Sequence, residues 1–125
     1  MNKKSNSIPP NTGPLAGVRV LDMSRILAGP TCTQLLGDYG ADVVKVEKPG
    51  AGDDTRNWGP PFMKDIEGQD SNESGYFLAS NRNKRSLSLD ISKEENVKTI
   101  KTLLKDCDVF IENFKVGSLK KFGLD

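Results

Sequence analysis

Two short aliphatic runs, set a helix's length apart, constrain this chain more than anything else in it. "GVRVLD" at 17–22 alternates Val18, Val20 and Asp22 with Arg19 and Leu21, the period-two pattern of a strand. "ADVVKVE" at 41–47 has the same β-branched character. Between them, Pro30 suits a first helical position, because its fixed φ matches a helix and its missing N–H would be unpaired there. Leu35, Leu36 and Tyr39 then fall on one helical face, and Gly40 supplies a left-handed stop. A strand, a helix and a strand within about 30 residues make a right-handed crossover, so the two strands are parallel.

The second half of the chain repeats the alternation. Pro49 to Gly75 is dense in Gly, Pro, Asp, Asn and Ser and reads as one long loop, functional or inserted. "SGYFLASN" at 74–81 reads as one or two helical turns. "RSLSLDI" at 85–91 sets Leu87, Leu89 and Ile91 on one face of a third strand. Ser92 and Glu95 form a capping box for a helix whose apolar stripe is Val97, Ile100, Leu104 and Cys107. "DVFIENF" at 108–114 is a fourth strand, parallel to the third because a helix precedes it, and "VGSLKKFG" is a short helix stopped by Gly123. This order predicts the α/β class, with a Rossmann-like open parallel sheet over 15–125 behind a disordered leader at 1–14.

Composition removes several classes of function. The 125 residues suit one domain, and 18 basic against 17 acidic residues, well mixed, give no electrostatic case for nucleic acid or a membrane surface. No apolar run approaches the roughly 20 residues of a membrane helix. With no histidine, a Ser-His-Asp triad and a His-based metal site are both excluded. Cys32 and Cys107 have no zinc spacing and are expected as free thiols in a reducing compartment, with a single disulfide left open. The leader lacks an apolar core, so a secretory signal is not expected. No acidic residue precedes Asp22, which suits a mitochondrial address. The missing arginines and paired prolines leave the cytoplasm as the alternative.

In an open parallel sheet, ligands bind beyond the carboxyl ends of the strands. Four segments belong there: Ser24 to Pro30, Glu47 to Arg56, Leu89 to Ser92, and Asn113 to Lys115. "LAGP" at 27–30 opens a helix, and free N–H groups of Thr31 and Cys32 would favour an anion or carbonyl oxygen; an ordinary tight turn explains the same residues. Lys48 and Lys121 suit phosphate, or are surface lysines. "NRNKRS" at 81–86 resembles an anion clamp but precedes the third strand, so the topology favours a structural contact. "GDDTR" at 52–56 reads as an ordered turn in which Arg56 keeps the carboxylates ionised, and Trp58 as a loop anchor.

Taken in order, "GVRVLDMSRILAGPTCTQLLGDYGADVVKVEKPGAGDDTR", "NRNKRSLSLDI" and "CDVFIENFKVGSLKKFG" resemble the N-terminal part of family III CoA-transferases, the family of formyl-CoA and carnitine CoA-transferases. "GAGDDTRNWGPPF" is most similar to the succinate–hydroxymethylglutarate, glutaryl-CoA-forming type. The resemblance covers 15–125 apart from Lys64 to Ser74. It implies a CoA site in which Leu27 and Ala28 meet the pantetheine and thioester end and Lys48 meets phosphate. Leu89, Asp90, Ile91 and Ser92 would touch the adenine end, while Asn113, Phe114, Lys115 and Lys121 line the nucleotide site. Leu27 stands where formyl-CoA transferases carry Gln, and Lys48 and Lys121 where they carry Arg, which keeps the charge but loses the bidentate fork.

CoA enters the implied reaction as substrate, with no permanently bound cofactor, and the partners are acyl-CoA and dicarboxylic acids in an interlocked homodimer. The mechanism uses an Asp that attacks the thioester and passes through a mixed anhydride. That Asp lies downstream of the matched motifs, so no catalytic residue is expected among these 125 residues, and no turnover from them alone. Two alternatives stand beside this reading. One is an isomerase like the α-methylacyl-CoA racemases, which share the N-terminal pattern but not "GDDTRNWGPPF". The other is a non-catalytic CoA-binding or dimerising fragment.

Overall fold

The computed structural model describes residues 12–125, so most of the leader at 1–14 lies outside the described residues. The chain runs β1 (Arg19–Asp22), α1 (Ala28–Asp38), β2 (Asp42–Glu47), a 3-10 turn (Asp54–Asn57), β3 (Phe62–Lys64), β4 (Asp70–Ser74), α2 (Gly75–Asn81), β5 (Lys84–Ser88), α3 (Glu94–Leu104), β6 (Val109–Ile111) and a second 3-10 turn (Lys120–Phe122). Four strands form one parallel sheet in the order β5-β2-β1-β6. The chain steps outward from β1 through β2 to β5, then returns to the other side of β1 with β6. The reversal beside β1 is the crevice-forming arrangement of a doubly wound fold.

Each face of the sheet has its own apolar layer. Leu21, Met23 and Val46 pack with Val97 and Ile100 of α3 and with Leu119 and Leu124, and Leu104 and Cys107 flank this cluster as the sequence stripe predicts. Val20, Ala41 and Val43 pack on the opposite face with Val18 and Leu36. Cys32 and Cys107 are both free thiols.

Several expectations need correction. Helix α1 begins at Ala28, two residues before Pro30, so proline occupies the first turn rather than its first position. The Thr31 N–H is already bonded to the Leu27 carbonyl at 2.8 Å and is not free for a ligand. Of the expected apolar face only Leu36 reaches the core; Leu35 and Tyr39 are about half exposed at 49% and 57%. The inward face carries Pro30, Thr33 and Gln34 instead. Gln34 is buried because its amide serves α2, donating to the Ala79 carbonyl and accepting from the Arg82 N–H.

Ser92 and Glu95 do not form a capping box. The N-cap of α3 is Lys93, without a side-chain cap, while the Ser92 hydroxyl and N–H both bond Asp90 Oδ1 in a local turn. The third strand ends at Ser88, three residues short of expectation, and Leu89 and Ile91 leave it to pack on the α3 side. The final helix is a single 3-10 turn, closed by Gly123 at φ 60°. Within the expected loop, β3 and β4 form an antiparallel hairpin. Helix α2 follows, its first turn capped by Ser74, which accepts from the Phe77 N–H at 3.0 Å.

Candidate functional site

At the carboxyl ends of the parallel strands lies a cavity of about 380 Å³. Its walls come from the segments that follow the strands: Met23 and Arg25 after β1, Lys48 to Asp53 after β2, Leu89 to Ser92 after β5, and Phe114 to Phe122 after β6. Met23, Val46, Leu89, Ile91, Phe114 and Phe122 make the interior apolar, continuous with the cluster under α3. Arg25, Lys48 and Lys121 are exposed cations at its border. Lys48 and Lys121 form no ion pair among the described residues, and Lys121 Nζ stands 4.8 Å from the Phe122 ring centroid. An apolar pocket bordered by free cations suits a flat, uncharged ring carrying phosphate groups.

Seven predicted site residues come together in this cavity: Lys48, Leu89, Asp90, Ile91, Ser92, Phe114 and Lys121. Leu27, Ala28, Asn113 and Lys115 are not among its lining residues. Leu27 is half exposed at the N-cap of α1, beside Ala28. Asn113 is committed elsewhere, its amide binding both backbone groups of Arg25. Asp90 is held ionised, its carboxyl kept below the ordinary value chiefly by the Ser92 hydroxyl.

The loops that shape the cavity are fixed by charged pairs: Lys45 with Asp53, which sequence reasoning missed, and Arg56, which binds Glu47 and Glu73 rather than the aspartates of its own segment. Lys45 is 1% exposed, and its Nζ donates to the Ser24 carbonyl at 2.8 Å and lies 2.9 Å from Asp53 Oδ2. That oxygen has no other polar partner among the described residues, so the Lys45 ammonium alone neutralises it. Asp53 Oδ1 accepts from the Thr55 N–H and hydroxyl and caps the 3-10 turn. One ammonium therefore ties the loop after β1 to the loop after β2. Arg56 binds Glu47 through two bonds of 2.7 Å, reaches Glu73 at 3.2 Å, and lies 3.7 Å from the Phe77 ring centroid. Burial pushes the Glu47 carboxyl upward, but the bonds from Arg56, the Asp53 N–H and Ser86 outweigh it and hold it below the ordinary value. The "GDDTR" segment is thus an ordered turn. Trp58 rests edge-on against Tyr76 at 5.2 Å and is 47% exposed.

"NRNKRS" is structural throughout. Lys84, its side chain 2% exposed, bonds Asp22 at 3.1 Å, the Pro30 carbonyl at 2.8 Å and Asn81 at 2.9 Å, and burial lowers its ammonium pKa despite Asp22. Arg82 and Asn83 bind Asp38, and Arg85 binds Asp42. Asp22 also accepts from Ser24 and Thr33, which pins the loop after β1 from below. Gly29 allows that loop its close seat on α1, since a Cβ there would lie 2.3 Å from the Ser24 Cβ. "LAGP" therefore works as a packed turn, and its glycine meets the protein itself.

Known proteins share this fold and much of this sequence. Residues 15–125 match the sequence model of CoA-transferase family III. The chain is 53% identical over 111 residues to a succinyl-CoA:glutarate CoA-transferase of Mus musculus, covering 89% of this chain and 24% of that protein. It is 47% identical over 118 residues to a succinate–glutarate CoA-transferase of Agrobacterium fabrum, covering 94% and 29%. The crystal structure of a CAIB/BAIF family protein from Brucella suis superposes with a TM-score of 0.83 at 51% identity, over 92% of this chain and 29% of that one. The chain thus spans about a quarter of the length of the curated relatives it matches. A family match from Leu15 to Asp125, with this identity and this superposition, means that the chain belongs to CoA-transferase family III.

Proposed function

We propose that these residues bind the nucleotide end of CoA for a transferase that moves CoA from succinyl-CoA to a dicarboxylate such as glutarate. The observation that carries the reading is the cavity of about 380 Å³ at the strand ends, apolar inside and bordered by Lys48 and Lys121, neither in an ion pair among the described residues. An adenine ring fits the apolar interior, and the lysines answer phosphate. The names of the mouse and Agrobacterium fabrum relatives supply the donor and acceptor. Leu27 and Ala28, one loop away, would meet the thioester end.

In this reading an Asp carboxylate attacks the thioester and expels CoA thiolate, giving a mixed anhydride; the thiolate returns to the Asp carbonyl and releases the donor acid. The acceptor carboxylate then attacks the resulting aspartyl-CoA thioester, again expelling the thiolate, which takes the acceptor acyl group and frees the Asp. The buried carboxylates near the strand ends are poor candidates. Asp22 is held by Lys84, Ser24 and Thr33, Glu47 by Arg56, and Asp53 by Lys45. Each is neutralised in place, and freeing it would leave a buried cation unpaired. The family resemblance, rather than these contacts, implies that the nucleophilic Asp lies downstream of the matched motifs.

Isothermal titration of the full chain with CoA tests the site. Saturable binding is expected, weakened about tenfold or more in the K48M/K121M double variant through loss of two charge-assisted contacts. Absence of CoA binding by the unaltered chain, or equal binding by the double variant, would overturn the assignment.

A further inference from the structure

We propose that Arg25 is a third phosphate-binding cation of this site, held in place by Asn113. The inference rests on reading the cavity as a CoA site. Arg25 lies on the loop after β1, where the sheet reverses direction between β2 and β6. Its N–H donates to Asn113 Oδ1 at 2.8 Å, and Asn113 Nδ2 donates to its carbonyl at 2.7 Å. Both backbone polar groups are thus taken, so the main chain is fixed and only the side chain is free to move.

That side chain lines the same cavity as Lys48 and Lys121. Its guanidinium carbon lies 5.5 Å from the Phe114 ring centroid, and its one carboxylate partner among the described residues is Asp54, at 3.3 Å. Both members of that pair are more than half exposed, at 52% and 56%. An exposed pair of this kind contributes little and exchanges readily for a better ligand. A single contact also leaves most of the guanidinium donors unpaired, in the planar fork that matches a phosphate bidentately. CoA brings a diphosphate and a 3′-phosphate to a border where Lys48 and Lys121 supply only point charges. Arg25 adds the directional contact. Asn113, with both amide atoms committed to Arg25, is a positioning residue and not itself a ligand of CoA.

The test is titration of the full chain with CoA and with 3′-dephospho-CoA, comparing wild type, R25M, R25K and D54N. R25M is expected to bind CoA about tenfold more weakly, with R25K between it and wild type. D54N, which removes the competing carboxylate, is expected to bind about two- to threefold more tightly. A loss in R25M confined to CoA assigns Arg25 to the 3′-phosphate, and an equal loss with both ligands assigns it to the diphosphate; either supports the proposal. R25M binding within twofold of wild type, or weaker binding by D54N, overturns it while leaving the CoA site standing. Failure of wild type to bind CoA removes the site and the proposal together. R25K and D54N are conservative surface changes, so they decide the matter even if R25M folds poorly.

Discussion

Lys45 shows how one side chain determines the shape of a site it does not border in any exposed way. It projects from β2 into the space beneath the cavity, where its ammonium faces the Ser24 carbonyl and the Asp53 carboxylate. The pair is almost fully buried, with side-chain exposures of 2% and 0%. Removing one member of such a pair strands the other, at a cost of about 3–5 kcal/mol. Lys45→Met is therefore expected to destabilise the chain by about 3 kcal/mol or more, and Lys45→Met/Asp53→Asn by clearly less, because no charge is then left unpaired. Urea denaturation of the two single variants and the double decides this. A double variant as unstable as the sum of its parts would show that the two side chains act independently. Nothing in the sequence separates this lysine from Lys48, three positions on, because the buried state of a charge depends on partners contributed by other segments.

Among the elements, the turn after β2 is held by two carboxylates whose ionisation its order depends on. Arg56 links it to Glu47 and Glu73, and Asp53 caps it. The carboxyl groups of Glu47 and Asp53 both lie below their ordinary values in the folded chain, their bonds outweighing the upward push of burial. A depressed carboxyl contributes stability that is complete above its unfolded pKa and is lost as pH falls through the folded one. The turn is therefore expected to hold from neutral pH down to about 4 and to loosen below it. Trp58, the single tryptophan, directly follows the turn and reports on it. Its fluorescence should stay constant above about pH 5 and change as the pH drops below about 4; a transition centred near neutrality would contradict the assignment to these carboxylates.

The same scale shows where sequence reading stopped. The four parallel strands were legible because each falls in or beside a short aliphatic run, and α3 because its stripe has the helical period. The β3–β4 hairpin was not. "FMKDIEGQDSNES" has no apolar alternation, and its pairing is irregular, with a register shift between Phe62 and Lys64. Its strands are tied instead by polar contacts, Lys64 with Asp70 and Glu73 with Arg56. Helix α1 misled for a related reason. Leu35 and Tyr39 share a face with each other but not with the core, and the inward side is held by Thr33 and Gln34, whose burial needs partners in β1 and α2.

For the molecule as a whole, topology placed the cavity correctly. The sheet's reversal beside β1 puts the loops after all four strands at one edge, and the segments named from sequence supply most of its walls. Arg25 was missed because it lies between two recognisable features, the end of β1 and "LAGP", and its relation to Asn113 spans 88 positions of sequence. Leu27, Ala28, Asn113 and Lys115, which the family resemblance assigns to the CoA site, do not line this cavity.

The central claim is that CoA occupies this edge of the sheet. Backbone NMR of the full chain during titration with CoA tests it most directly. The account predicts that amides of Lys48, Leu89 to Ser92, Phe114 and Lys121 shift with a common dissociation constant. Those of Asp38, Asn83 and Arg85, at the other end of the strands, would stay in place. Shifts centred on "NRNKRS", or spread evenly over the chain, would contradict it.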